Sequence, residues 1–433
     1  MDVLLINQAK KKNLYRIAIV LFILILFLQN AYIRVRADTA DAPTVDWLVL
    51  LRVFAFSLAI VIGFLIYPQK VKLGYGAKIL IVLALSAFLS SLFSKYATLS
   101  LGYSLLLIGG TALMIGLVYH AKDRSQLERI EKIWLCIIVF ILLKDTITGL
   151  FFQDTITTNG GIQRAGFGLT HPNRMGTLAA IAFVIMPAPP KKQFYPIAVN
   201  VLIRLFLLYV LYSCISRVAI ACFLTGVFFY YVFNKYQIEK RFLFVSSFTG
   251  FFLALFLFLN SFDVQLTENS IQYLKRNQSD IQLQTLTGRT VLWDLALEQA
   301  WENPIVGYGF GVTRFAINFK GYRGSLESHA HNDFIEVFLA RGFLGLIPFL
   351  LMCIYSLKWA THTFPIRKIL GLSLSSHAAA VVIMLVFVSS MFQIQLNSNA
   401  GAPLLLFFFY ILCLDRYKQL SSLAKVPVQQ LFQ

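Results

Sequence analysis

The stretch HNDFIEVFLARGFLG, residues 331–345, decides how this chain is read. His331-Asn332 is followed by nine residues, Gly342, two more residues and Gly345. The motif closes a long polar segment lying between two very apolar ones. That polar segment also carries Arg289 and a helical pattern of Trp293, Leu297, Ala300 and Trp301, spaced as one face of a helix would be. Asn303-Pro304 stops that pattern, and Gly307, Gly309 and Gly311 follow as turn residues. An otherwise oily chain thus keeps a histidine and arginines in one watery place. Gly342 and Gly345 read most simply as points of close backbone packing where the next apolar run begins.

Outward from this stretch the chain is apolar. Of its 433 residues 58% are hydrophobic and only 13% charged, about half the charged share of a soluble domain. Its 40 Phe and 19 Tyr suit lipid-facing and interfacial surfaces. A crossing needs about 20 mainly apolar residues. Candidates lie at 15–33, 47–67, 78–94, 99–119, 133–152, 175–190, 197–214, 218–234, 242–260, 334–358, 369–392 and 403–414. The expected fold is therefore an all-α polytopic membrane protein of about 12 transmembrane helices. It forms one integral membrane domain, 1–433, with a large, mostly helical extracytoplasmic loop, 261–333, between helices 9 and 10. The first run is read as a retained span, because Arg34 and Arg36 follow it where a cleavage site would be expected.

The net charge of +18 does not indicate nucleic acid, because the basic residues sit in short loops between apolar runs. Lys10 to Lys12, Lys70 and Lys72, Lys122, Arg124, Arg129 and Lys132, Lys191 and Lys192, Lys235, Lys240 and Arg241, Arg367 and Lys368, and Arg416 and Lys418 fall on one side under this count. That side is the cytoplasm by the positive-inside rule, and both termini join it. Arg164, His171, Arg217, Arg289, His329 and His331 then share the outer side, where the same rule disfavours arginine. The five cysteines lie in apolar runs without metal or redox spacing and read as buried thiols.

Each candidate has a plain structural reading beside its chemical one. A histidine at a membrane–water boundary can titrate near neutral pH and take a proton as general base; His331-Asn332 is equally a polar helix start. Arginine binds phosphate oxygens in a fork and stays charged; Arg164, Arg217 and Arg289 could also anchor to lipid headgroups, least so Arg217, in a tight turn between two spans. Arg289, in a helix's first turn, would add to N–H groups that already favour an anion. His171-Pro172-Asn173-Arg174 suits a helix start, with Asn173 as cap. His329, His331 and Asp333 alternate, but lack the further ligands a firm metal site needs. Arg341 falls inside a span and is expected to face the protein interior.

Residues 328–333 with Gly342 and Gly345 resemble the signature of the O-antigen ligase and polymerase superfamily. So do Gly288-Arg289 with Trp293, the segment 303–309 and, more weakly, Arg164 with His171-Pro172-Asn173. The resemblance implies an enzyme that transfers glycan from an undecaprenyl-diphosphate donor on the outer face of the bacterial inner membrane, without metal or other cofactor and with inversion. It implies catalytic roles for His331, Arg289 and Arg217, and substrate binding by Arg164, His171, Asn332 and His329. The implied partners are the lipid-linked donor, a glycan or lipid A–core acceptor, and membrane lipid. Family ligases often show Arg, three residues, then Leu; here Ala221 follows Arg217 and Trp293 follows Arg289. Those departures favour a polymerase over a ligase. Attachment to protein is a third outcome. A transporter or flippase is the rival from another class, since the span count suits one equally; a transporter would place its polar residues at mid-bilayer, whereas here they gather at one face.

Overall fold

The structure is a computed structural model. It describes residues 2–30, 47–69, 71–151, 157–159, 162–164, 172–186, 194–214, 216–236, 289–316, 330–362, 402–423 and a few helical residues between 382 and 390. Helices follow in the order α1 (Asp2–Asn30), α2 (Trp47–Ile66), α3 (Tyr75–Leu92), α4 (Ala97–His120), α5 (Arg124–Phe151), α6 (Pro172–Ile185), α7 (Phe194–Ser213) and α8 (Arg217–Tyr236). After them come α9 (Arg289–Glu302), the single turn α10 (Thr313–Ala316), α11 (Asp333–His362) and α12 (Ala402–Leu423). Ten of the twelve expected spans fall on these helices. The span at 242–260 lies outside the described residues, and that at 369–392 is described only in part.

Among the described residues four helices are long and apolar enough to cross a membrane: 47–66, 75–92, 97–120 and 333–358. Large apolar side chains such as Phe54, Val61, Phe64, Val82 and Ile354 are exposed along them, the surface expected where lipid replaces water. Cys136 belongs to such an exposed face of α5, contrary to the expectation of five buried thiols; the other four are buried. All-helical architecture has one exception among the described residues. Strands β1 (Thr157–Asn159) and β2 (Ile162–Arg164) form an antiparallel hairpin in which Arg164 pairs with Thr157. Three-residue strands are too short to leave a periodic signal.

Small residues set the closest helix contacts. A Cβ built on Gly63 would come within 2.5 Å of the Ala112 carbonyl, and one on Gly116 within 2.6 Å of the Gly63 carbonyl. One on Gly109 would collide with the Phe56 carbonyl. Backbones of α2 and α4 therefore touch, the mode of packing that works where lipid offers no hydrophobic drive. Helix α6 has only 14 residues, about 21 Å, well short of the ~30 Å hydrocarbon core. It is buried on nearly every side, so protein and not lipid surrounds its ends. Its C-terminal carbonyls of Phe183 and Met186 accept the Arg204 guanidinium of α7 at 3.4 and 3.1 Å, the basic cap such an end favours.

The pair α3–α4 is a post gripped at both ends. At one end Asp415 of α12 accepts the Ala77 N–H at 2.9 Å and the Tyr119 hydroxyl at 3.3 Å, and also takes the Tyr355 hydroxyl. Its carboxylate thus satisfies a donor that the start of α3 leaves open. At the other end a ladder of serines holds the chain between α9 and α10. Ser90 Oγ lies 2.7 Å from the Val306 carbonyl and 2.8 Å from that of Ala340. Ser94 donates to Tyr308 O at 2.7 Å and Ser100 to Phe310 O at 2.9 Å.

That loop repairs a break in α11. Gly342 sits at φ 56°, ψ −154° inside the helix. The helical ladder fails there, and the loop takes it over. Tyr308 and Gly309 N–H donate to the Leu339 and Ala340 carbonyls at 3.1 and 2.8 Å, while Phe343 and Leu344 N–H donate to Pro304 and Ile305 at 2.7 and 3.1 Å. Gly307, Gly309 and Gly311 all have positive φ, as their reading as turn residues requires. Gly342 is thus a break with a left-handed residue, more than a point of close packing. Gly345 does serve close packing, against the side chain of Arg341. Arg341 is buried as expected, its guanidinium 5.2 Å over the Phe310 ring.

Gly109→Val and Gly342→Ala should each destabilise the protein by roughly 1–3 kcal/mol, the first by overpacking and the second by left-handed strain. Gly102→Ala should not destabilise, and should stabilise by up to about 1 kcal/mol as a helix-interior glycine replaced, because the nearest atom to a Cβ there is 4.0 Å away. Thermal unfolding of the three variants in one detergent checks this; an unchanged Tm for Gly109→Val would mean that α2 and α4 pack otherwise.

Candidate functional site

His331 precedes α11 with φ 52°, the one non-glycine residue of positive φ among those described. Asn332 follows as the helix cap. Its Oδ1 accepts the N–H groups of Phe334 at 2.9 Å and Ile335 at 3.3 Å, and its carbonyl accepts that of Glu336 at 2.9 Å. This accounts for the Asn and gives it a structural role beside any part in substrate binding. On the other flank, Ala330 is held from both directions. Its N–H donates to Glu336 Oε2 at 2.9 Å, and its carbonyl accepts Trp293 Nε1–H at 2.9 Å. The Thr313 hydroxyl of α10 meets the second oxygen of Glu336. Residues from α9, α10 and α11 therefore meet around the backbone that presents His331.

Helix α9 runs beside α11 in the same direction. Trp293, near its start, reaches Ala330, while Trp301, near its end, meets Phe338 and Phe343 at ring-centroid distances of 5.3 and 6.0 Å. Leu292, Ala296 and Ala300 bury the shared face with Phe338 and Leu339. This parallel packing brings the start of α9, which is Arg289, to the His331 end of α11. Beyond α9, the Tyr308 hydroxyl donates to Glu302 Oε2 at 2.7 Å. Burial, then the Glu302 carboxylate, raises its pKa, so it stays protonated and donating.

A second pair of helix starts, those of α6 and α8, packs together. Arg217 is the first residue of α8, and Ser216 caps that helix, its Oγ accepting the Ala219 N–H at 3.3 Å. Helix α6 starts at Pro172, one residue before the expected cap Asn173; proline at a first helical position sacrifices no hydrogen bond. A Cβ built on Gly176 would lie 2.6 Å from that of Ala219, so the starts of α6 and α8 lie side by side. Two contacts connect this pair to α11. Cys222 of α8 donates through sulfur to the Leu385 carbonyl at 3.7 Å, and Phe387 packs edge-on against Phe334 at 5.9 Å. The helix starts thus come in two adjacent pairs, α6 with α8 and α9 with α11, connected through the segment at 385–387. Each presents the positive end of a helix dipole, a setting that favours an anion before any charged side chain is counted.

The backbone positions of Arg289, His331 and Asn332 come together where α9 and α11 start, Arg217 stands at the start of α8 beside that of α6, and Arg164 lies in the β1–β2 hairpin. His171 and His329 lie outside the described residues. Among the described residues no group of three or more His, Cys, Asp or Glu is placed to hold a metal ion. Glu336, Thr313 and the serines at 90, 94 and 100 were not among the expected site residues. The one sequence signal for Glu336 is an acid inside an apolar run five residues beyond His331.

Known proteins resemble the same region. Residues 202–350 match a family described as "O-Antigen ligase". The chain is also 27% identical over 212 residues to the "ComP-specific O-oligosaccharyltransferase" of Acinetobacter baylyi, covering 47% of this chain and 36% of that relative. The matched part thus spans about a third of the relative's length. The family match, residues 202–350, contains Arg217, Arg289 and the His331–Gly345 motif, and with the relative it supports a likeness to the O-antigen ligase superfamily.

Proposed function

We propose that the protein transfers a glycan from undecaprenyl diphosphate to an acceptor hydroxyl at the outer face of a bacterial inner membrane, with both termini in the cytoplasm. One observation carries the reading: α9, which begins with Arg289, packs in parallel beside α11, so that its start lies at the His331 end, and α8 begins with a second arginine, Arg217. The donor's diphosphate needs positive charge as it departs, and preorganised N–H groups and guanidiniums supply it without reorganisation. The acceptor hydroxyl needs a base, and the His331 imidazole takes its proton as oxygen attacks the anomeric carbon. Energy for the bond resides in the donor, so neither nucleotide nor metal enters the scheme.

The transfer is proposed to be of ligase type, the glycan passing en bloc to an acceptor other than a second lipid-linked glycan. The family description and the relative's name both support that choice over polymerisation. Polymerase action is the second reading, and the departures at Ala221 and Trp293 favour it. Lipid A–core and protein hydroxyls are the two acceptor classes to separate; purified protein offered the same donor with each acceptor distinguishes them.

His331→Ala should lower turnover on purified lipid-linked donor by about a hundred- to ten-thousand-fold, the usual share of general-base help, while the protein still accumulates. Near-normal turnover at saturating substrates would remove proton transfer from its role. Arg289→Lys should be almost as damaging as Arg289→Ala, since lysine keeps charge but loses the planar fork that meets two phosphate oxygens. A fully active lysine variant, read as surface glycan in a complemented null strain, would reduce Arg289 to a diffuse charge. A cysteine engineered at Asn277 should react with an impermeant thiol reagent in intact spheroplasts; reaction only after lysis would invert the sidedness.

A further inference from the structure

We infer that Glu336 is the positioning residue for His331, acting through the backbone of Ala330. This deepens the proposed reading and rests on it for its functional meaning, but its structural content stands separately. Glu336 is 4% exposed, and an acid so placed is costly unless its oxygens are met. Its own helix does not need it, because Asn332 already caps Phe334 and Ile335. Both carboxylate oxygens turn to other segments instead. One accepts the Ala330 N–H at 2.9 Å and the other meets the Thr313 hydroxyl.

The consequence falls on the residue between two clamps. Ala330 is fully buried and held at its N–H by Glu336 and at its carbonyl by Trp293. Asn332 is held by its side chain and its carbonyl. His331, between them, is left in the left-handed region at φ 52°, a conformation that persists in a non-glycine residue only when the surroundings over-determine it. Releasing the Ala330 N–H removes one of the two clamps. The loop can then relax toward ordinary φ, and the imidazole loses its fixed direction even though the helix keeps its cap.

Thiol reactivity tests this without using catalysis. His331→Cys is prepared in a Cys136→Ala background, purified in detergent, and its rate with N-ethylmaleimide measured with Glu336 intact, with Glu336→Gln and with Glu336→Leu. Ile305→Cys, at a site 71% exposed on the neighbouring loop, serves as control in the same three backgrounds. The left-handed penalty of a non-glycine residue corresponds to a population shift of roughly tenfold, so Glu336→Leu should change the rate at 331 by about that factor. Glu336→Gln should leave it unchanged, because an amide can accept from Ala330 and donate to Thr313. In either background the rate at 305 should stay constant.

Equal rates at 331 in all three backgrounds would overturn the inference. So would a parallel change at 305, which would mean general loosening, or a Gln variant that behaves like Leu, which would mean that charge alone matters. A kinetic arm keeps the two readings apart. With His331 present, Glu336→Leu should lower kcat far more than it raises KM for the donor. If labelling responds as expected while His331→Ala keeps full turnover, the positioning stands and the general-base reading falls.

Discussion

Inside a bilayer no water is at hand to take over a backbone group that a helix gives up, and each such group left alone costs several kcal/mol. The break at Gly342 is possible only because another segment supplies the missing partners. Four hydrogen bonds between 304–309 and 339–344 do so. The loop in turn depends on hydroxyls from α3 and α4, because its own carbonyls at 306, 308 and 310 point away from α11 toward Ser90, Ser94 and Ser100. Break, loop and post are one unit. Its effect is to fix the half of α11 that starts at His331 relative to α9, and so to bring Arg289 to the same end as the histidine.

The same economy appears wherever a helix ends in this fold. Asp415 answers the start of α3, Arg204 the end of α6, and the Arg52 guanidinium the Leu28 carbonyl at 2.9 Å near the end of α1. His120 Nδ1 lies 3.0 Å from the Ile66 carbonyl at the end of α2. Several polar and charged side chains far from the candidate site are thus engaged with helix ends. The starts of α8 and α9 stand in contrast: there the chain places arginine at the first helical position, where an acid would be the ordinary choice. Arginine at such a place suits an anion brought from outside the protein.

Much of this was legible in the sequence, for physical reasons that can be named. Long apolar runs gave the helices; Asn303-Pro304 gave the end of α9; three glycines gave the turns; the charge of Arg341 within a span gave its burial. The break at Gly342 was not legible, since the apolar pattern continues unchanged through both halves of α11. Nor was the hairpin that carries Arg164. Glu336 escaped because its partners, Ala330 and Thr313, come from separate segments whose meeting is a tertiary fact. Asn332 could be seen as a candidate, but its capping geometry shows how much of the motif is there to hold the histidine.

The serine ladder carries an implication for exchange between related chains. Apolar packing tolerates approximate partners, but a hydroxyl aimed at a particular carbonyl fixes register to within one residue. The segment from α9 to α10 cannot be grafted from a relative as a cassette, because its fit is written on α3 and α4, about two hundred positions earlier in the chain. A chimera would have to carry both pieces, or redesign the hydroxyl positions to match. Drift in the segment from α9 to α10 is likewise tethered to α3 and α4.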